Sequence, residues 1–311
     1  MWLGWVQLIA GLVFLIIAGE FLVRSSVRLA LYLKISSLVI GLTVVSFGTS
    51  FPELVVSLNA ALGGHPDISI GNVVGSNIAN LALVMGVSAI FFTMTVDRSS
   101  VVIDWPLMLL SSILLIVFAW DLKLELWEGA IMVTGLLAFN IWVIRESRRE
   151  NKSQSTDEDF QPASSNIIRT LLVFGASMIG LIVGADIMVD GAVSIARGMN
   201  IEERVIAITV IAFGTSVPEL ATSLIALYKK EVSISVGNLI GSNIFNILGI
   251  LGVTAVIQPI DVNPEIKFND FYWFLGIPLL LYPVLITRLK VSRIEGILLF
   301  GTYILYIYLV I

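Results

Sequence analysis

The sequence contains no cysteine and a single histidine, His65, and only 13% of its 311 residues are charged. Without cysteine there is no disulfide, no thiolate zinc site and no cysteine nucleophile. One histidine excludes HExxH zinc sites and multi-histidine metal centres. Basic residues are scarce as well: 18 Lys and Arg against 23 Asp and Glu leave a formal net charge of −5. Nucleic acid is therefore an unsuitable partner, because phosphate binding needs a basic stripe. Apolar residues are abundant, at 57%, where a soluble domain has roughly 45–50%. At this length one or two water-soluble cores cannot hide them, so most must face lipid. The chain reads as a polytopic, all-α membrane protein.

A spanning helix needs about 20 mostly apolar residues to cross a hydrocarbon core of about 30 Å. That ruler predicts ten spans, at 2–24, 37–62, 69–92, 101–119, 125–144, 167–190, 203–228, 235–257, 270–287 and 294–311. The opening MWLGWVQLIA has no basic leader and its apolar run continues too far for a cleavable signal, so residue 1 onward is expected in the mature protein. The longest polar stretch, RESRRENKSQSTDEDFQPASSN at 145–166, reads as a flexible linker between a first half, 1–144, and a second, 167–311. Its Asp157, Glu158 and Asp159 lack a binding-loop pattern and read as a solvated acidic patch. With ten spans and the linker inside, fourteen of the eighteen Lys and Arg fall on the cytoplasmic side. Both termini are then expected outside.

An internal repeat runs through the chain. TVVSFGTSFPEL at 43–54 returns as TVIAFGTSVPEL at 209–220, and SIGNVVGSNIAN at 69–80 returns as SVGNLIGSNIFN at 235–246. The offset is 166 in both cases, and it also relates Glu20 to Asp186 and Asp104 to Asp270. Each half holds five predicted spans. An odd number means that the second half crosses the membrane in the opposite sense, so the repeats are inverted, a plan that places a central site between them.

Glu53 and Glu219 lie deep in apolar segments with no Lys or Arg nearby to pair with them. At that depth an ionisable residue costs at least about 2.5–3.5 kcal/mol, which marks a functional position. Pro52 and Pro218 precede them and free the carbonyls of Gly48 and Gly214 by removing an amide. A helix broken at membrane depth is tolerated where it lines a cavity. Ser76 and Asn80, and their counterparts Ser242 and Asn246, are four apart and share a helix face. Gly71 and Gly75, with Gly237 and Gly241, are expected to let helices approach closely. Asn77 and Asn243 are expected to serve capping or packing. The donor set is carboxylate, hydroxyl, amide and carbonyl oxygen, which suits hard cations such as Ca²⁺, Mg²⁺ or Na⁺. Two glutamates carry −2, which one Ca²⁺ or two Na⁺ neutralise, so the ions compete for one space. Emptied, the pair is an uncompensated buried charge; a carrier that reorients poorly when empty exchanges rather than leaks. An intramembrane hydrolase with the glutamates as acid and base is disfavoured, since those roles need dissimilar environments. A channel is the other alternative.

The paired GTSxPE and GNxxGSNxxN motifs, within 41–80 and 207–246, resemble the α-repeats of the cation/calcium exchanger superfamily, and within it the Na⁺/Ca²⁺ exchangers. The resemblance implies a minimal prokaryotic antiporter of the plasma membrane, with alternating access as the first and sixth spans slide across an ion-holding core. It implies that Glu53, Glu219 and the carbonyls of Thr49 and Thr215 bind Ca²⁺. Na⁺ sites would share the glutamates and Thr215 and add the carbonyls of Ser46 and Ala212 with the side chains of Ser50, Ser216, Ser76 and Ser242, while Asn80 and Asn246 border the centre. Asn246 stands where some prokaryotic members and the K⁺-dependent branch carry aspartate, which implies K⁺-independence. The family commonly exchanges three Na⁺ per Ca²⁺, which would make transport electrogenic. Proton-coupled Ca²⁺ exchangers share the architecture but usually lack the GTSxPE form. The linker is too short for the regulatory domains of animal exchangers. No cofactor and no obligatory protein partner are expected; the ions are cargo and the bilayer is the surroundings.

Overall fold

The computed structural model describes residues 2–154, 166–199 and 214–310. In chain order its helices are α1 (Trp2–Leu33), α2 (Ser37–Thr49), α3 (Phe51–Leu62), α4 (Ile68–Phe91), α5 (Ser100–Asp121), α6 (Leu126–Gln154), α7 (Ile167–Gly198), α8 (Val217–Tyr228), α9 (Val232–Ile257), α10 (Ile266–Arg288) and α11 (Arg293–Val310). Eight are long and apolar enough to span a membrane, and α2 with α3 makes a ninth candidate as one span bent by 44°. The helix α8 is the second half of the predicted span 203–228, whose first half lies outside the described residues.

Two helices outrun their predicted ends, α1 reaching Leu33 and α7 reaching Gly198. The third, α6, continues into the stretch expected to be a flexible linker and ends at Gln154. Its charged tail is built of strong helix formers, so propagation from an established helix is cheap. Tertiary contacts hold it: Arg148 donates to the Leu33 carbonyl at 3.1 Å, and Ser147 Oγ accepts from the Ser36 amide at 2.9 Å. The acidic residues 157–159 lie outside the described residues.

The repeat is visible in the backbone. Shifting α3 by 166 residues gives the bounds of α8, and the straight segment Pro66–Ile78 maps in the same way onto Val232–Ile244. Local widening of the helix to π geometry recurs as well, at Ala79–Val84 and Phe245–Leu251 and at Ser100–Asp104 and Ile266–Asp270. Four two-residue strands tie the halves together: β1 (Met94–Thr95), β2 (Lys123–Leu124), β3 (Ile260–Asp261) and β4 (Lys290–Val291). Antiparallel pairs form between β1 and β4 and between β2 and β3, each joining the first half to the second.

The core is shared. Ile70, Ile78 and Trp105 from the first half pack in one apolar cluster with Leu239, Ile247 and Phe274 from the second. Outside it, α1 and α7 run antiparallel along a seam of small buried residues at seven-residue spacing, Gly4, Gly11, Ala18 and Ser25 on one helix and Thr170, Ser177, Gly184 and Gly191 on the other. A side chain at Gly11 or Gly191 would meet the backbone of the opposite helix. In lipid such small residues allow the close contact that drives helix pairing.

Candidate functional site

Both proline motifs break their helices in the same way. Ser50 and Ser216 adopt nearly identical backbone angles, φ −86°, ψ 8° and φ −88°, ψ 1°, and a new helix starts at the following residue. Proline then sits within the first two helical positions, where its missing amide costs nothing. Glu53 and Glu219 fall in the first turns of α3 and α8. The amide ends of those helices carry partial positive charge that favours a carboxylate there.

The two glutamates are fully buried, as are Ser50, Asn80, Ser216, Ser242 and Asn246, while Ser46, Thr49 and Ser76 are nearly so. Thr215 is half-buried. Ala212 lies outside the described residues. Bonds across the halves knit these groups into one site. Ser50 Oγ donates to Glu219 Oε1 at 3.2 Å. Thr49 Oγ1 donates to Asn238 Oδ1 at 3.1 Å and lies 3.4 Å from Ser242 Oγ. Asn246 donates through Nδ2 to Ser76 Oγ at 3.1 Å and Asn77 Oδ1 at 3.0 Å.

Several buried oxygens are left over. Among the described residues both carboxylate oxygens of Glu53 have no hydrogen-bond partner, nor do Glu219 Oε2, Asn80 Oδ1, Ser216 Oγ and Asn246 Oδ1. An unpaired buried polar atom is costly, and native structures keep few of them. A set of orphaned oxygens gathered around two carboxylates fits a hard cation. The π stretches contribute as well. Asn80 and Asn246 sit in them, and widened turns of this kind frequently mark functional positions.

The structure bears on three sequence expectations. Ser76 and Asn80 share a helix face but differ in partners: Ser76 Oγ accepts from Asn246 of the other half and donates to the Val73 carbonyl at 3.1 Å, whereas the side chain of Asn80 has no described partner. Asn77 caps nothing; its Nδ2 donates to the Asn243 carbonyl at 3.2 Å, a packing bond between the halves. Close approach holds at Gly237 and Gly241, where a side chain would collide with the Leu38 and Leu42 carbonyls, but at Gly75 no described atom lies within 4 Å.

Sequence reasoning missed Asn72 and Asn238. Asn72 Nδ2 donates to the Glu53 carbonyl at 3.2 Å and Ser57 Oγ at 3.0 Å, steadying the broken turn. The signal was present, since both asparagines follow a glycine at matching places in the two GNxxG copies. Glu20 pairs with Arg24 and with Lys229 at 2.9 Å, outside the central cluster. His65 is exposed in its loop.

Fold and site together define a polytopic membrane protein whose two repeated halves enclose one oxygen-lined centre, the plan of a secondary transporter. The chain belongs to the sodium/calcium exchanger protein family, which matches residues 3–145 and 169–311. It is 35% identical over 309 residues to the putative antiporter CaxA of Alkalimonas amylolytica, a match covering 97% of this chain and 96% of that protein. It is 30% identical over 340 residues to the sodium/calcium exchanger MaX1 of Methanosarcina acetivorans, covering 96% of each. A solved structure of the sodium-calcium exchanger NCX_Mj, soaked with zero Na⁺ and Ca²⁺, superposes with a TM-score of 0.84 at 31% identity over 99% of both chains.

Proposed function

We propose that this chain is an antiporter that exchanges Na⁺ for Ca²⁺ by alternating access at one site built on Glu53 and Glu219. The observation that carries the reading is the pair of fully buried glutamates, of whose carboxylate oxygens both on Glu53 and Oε2 on Glu219, with side-chain oxygens of Asn80, Ser216 and Asn246, have no described protein partner. Ca²⁺ is held by both glutamates with the carbonyls of Thr49 and Thr215. Na⁺ takes overlapping positions that add Ser46, Ser50, Ser76, Ala212, Ser216 and Ser242, with Asn80 and Asn246 at the border. Two negative charges make the ions mutually exclusive, and the emptied site is penalised by desolvated like charge. That penalty couples the fluxes. Asn246 supplies an oxygen without a third charge, so transport is K⁺-independent. A three-to-one exchange would move net charge.

The chain is read as two five-span repeats, 1–144 and 167–311, joined by 145–166. Strand pairing supports ten crossings. β1 and β4 must share one face of the membrane, which needs an even number of crossings between them. Five spans are described there, α5, α6, α7, α9 and α10, and counting the proposed span 203–228, to which α8 belongs, makes the number even. With the arginine-rich side cytoplasmic, both termini are outside, in the plasma membrane of a prokaryote.

The test is uptake of radioactive Ca²⁺ into Na⁺-loaded proteoliposomes on dilution into Na⁺-free buffer. Uptake should require internal Na⁺, ignore external K⁺ and an imposed pH gradient, and disappear in Glu53→Gln and in Glu219→Gln. Uptake driven by a proton gradient alone would make the chain a proton-coupled exchanger; no uptake under either gradient by inserted protein would refute the ion assignment.

A further inference from the structure

Away from the central site, the arginine-rich ends of α1 and α7 enclose a cavity of about 400 Å³. Arg24 and Arg28 line it from α1 and Arg169 from α7, with the buried hydroxyls of Ser25 and Thr170 at its floor. Those hydroxyls already donate to backbone carbonyls, Ser25 to Phe21 and Thr170 to Asn166, so among the described residues the guanidinium groups of Arg28 and Arg169 are left to donate. Among the described residues charge here is unbalanced. The nearby carboxylate is Glu20, and it is shared between Arg24 and Lys229. Among the described residues no ion pair engages Arg28 or Arg169. Two planar cations held across a cleft without a described acidic partner suit a phosphate.

The cavity does not end in protein. At Phe21 and Val173 it continues into a second hollow of about 490 Å³, lined by Val13, Phe14, Ile17 and Ala176. This groove is almost wholly apolar, and Val13, Phe14, Ile17 and Phe21 are each about half exposed on the side of α1 that faces lipid. A water-soluble anion has no use for it. We propose that the crevice binds one anionic phospholipid, its phosphate among Arg24, Arg28 and Arg169 and an acyl chain along the groove, so that the lipid bridges α1 and α7. The site is separate from the ion-exchange reading and rests on it only for naming the leaflet, which is cytoplasmic in the orientation proposed above.

Native mass spectrometry of the purified full chain in neutral detergent tests this without any transport assay. Phosphatidylglycerol and phosphatidylcholine of equal chain length are titrated against wild type, Arg28→Gln/Arg169→Gln, Arg28→Lys/Arg169→Lys and Ala176→Phe. Wild type should retain phosphatidylglycerol in preference to phosphatidylcholine. The glutamine pair should lose that preference by roughly tenfold to thirtyfold, the worth of two basic residues against an anionic headgroup. The lysine pair should keep most of it, which separates lost charge from lost fold. Filling the groove in Ala176→Phe should lower retention with all three arginines in place. Equal retention of the two lipids by wild type, or undiminished preference in the glutamine pair, would overturn the proposal. Displacement by glycerol phosphate at concentrations equal to the lipid would also overturn it, by reducing the site to a free-anion pocket. Since the readout is binding, a failed exchange assay leaves this result standing, and the reverse holds too.

Discussion

Among the described residues Glu219 receives a side-chain hydrogen bond from Ser50 of the other half, where a carboxylate in water would have several partners. Losing it in Ser50→Ala should weaken the site by about 1.5–3 kcal/mol, the usual worth of a bond to a charged group. The concentration of Ca²⁺ giving half-maximal uptake should then rise roughly tenfold to a hundredfold; an unchanged value would remove Ser50 from the site. Asn246 works differently. Its amide joins Ser76 and Asn77 while its oxygen is left to the centre. Replacing it with leucine strands the buried Asn77 Oδ1 and removes a bond to Ser76, so thermal unfolding in detergent should show a loss of about 1–3 kcal/mol along with the loss of transport.

Among the helices, the decisive feature is where each one stops being regular. The breaks at Ser50 and Ser216 put the two glutamates at helix starts, and the π stretches put Asn80 and Asn246 in widened turns. Around these irregular turns the packing is tight. At Gly241 a methyl group would run into the backbone of Leu42, whereas at Gly175 no described atom lies within 4 Å. Gly241→Ala should therefore destabilise by about 1–3 kcal/mol through overpacking. Gly175→Ala should be neutral or slightly stabilising, because alanine is the better helix former. Parallel melting curves of the two variants check the contrast; equal melting temperatures would mean that α2 and α9 can part without cost.

For the molecule as a whole, neither half owns a core. The main apolar cluster draws on both, and both strand pairs cross between them. Residues 1–154 expressed alone should thus be degraded or aggregate, while co-expression with 155–311 should restore a protein that co-purifies and transports. A first half that folds alone would show that the repeats are independent.

The sequence by itself determined the membrane class, most of the spanning helices, the internal repeat and the two buried glutamates. These rest on local properties: apolar length, charge placement and a 166-residue self-match are all written along the chain. The proline breaks were legible for the same reason, since a missing amide acts on its own helix. Tertiary structure alone decided which polar groups meet. Ser76 pairs with Asn246, Thr49 with Asn238 and Ser50 with Glu219, each across a separation of about 170 to 190 residues. No local rule could pair them, because helix register across the two halves is fixed by side-chain packing summed over the whole core. The same holds for the tail of α6, whose composition suggested a flexible linker until contacts with Leu33 and Ser36 held it as helix.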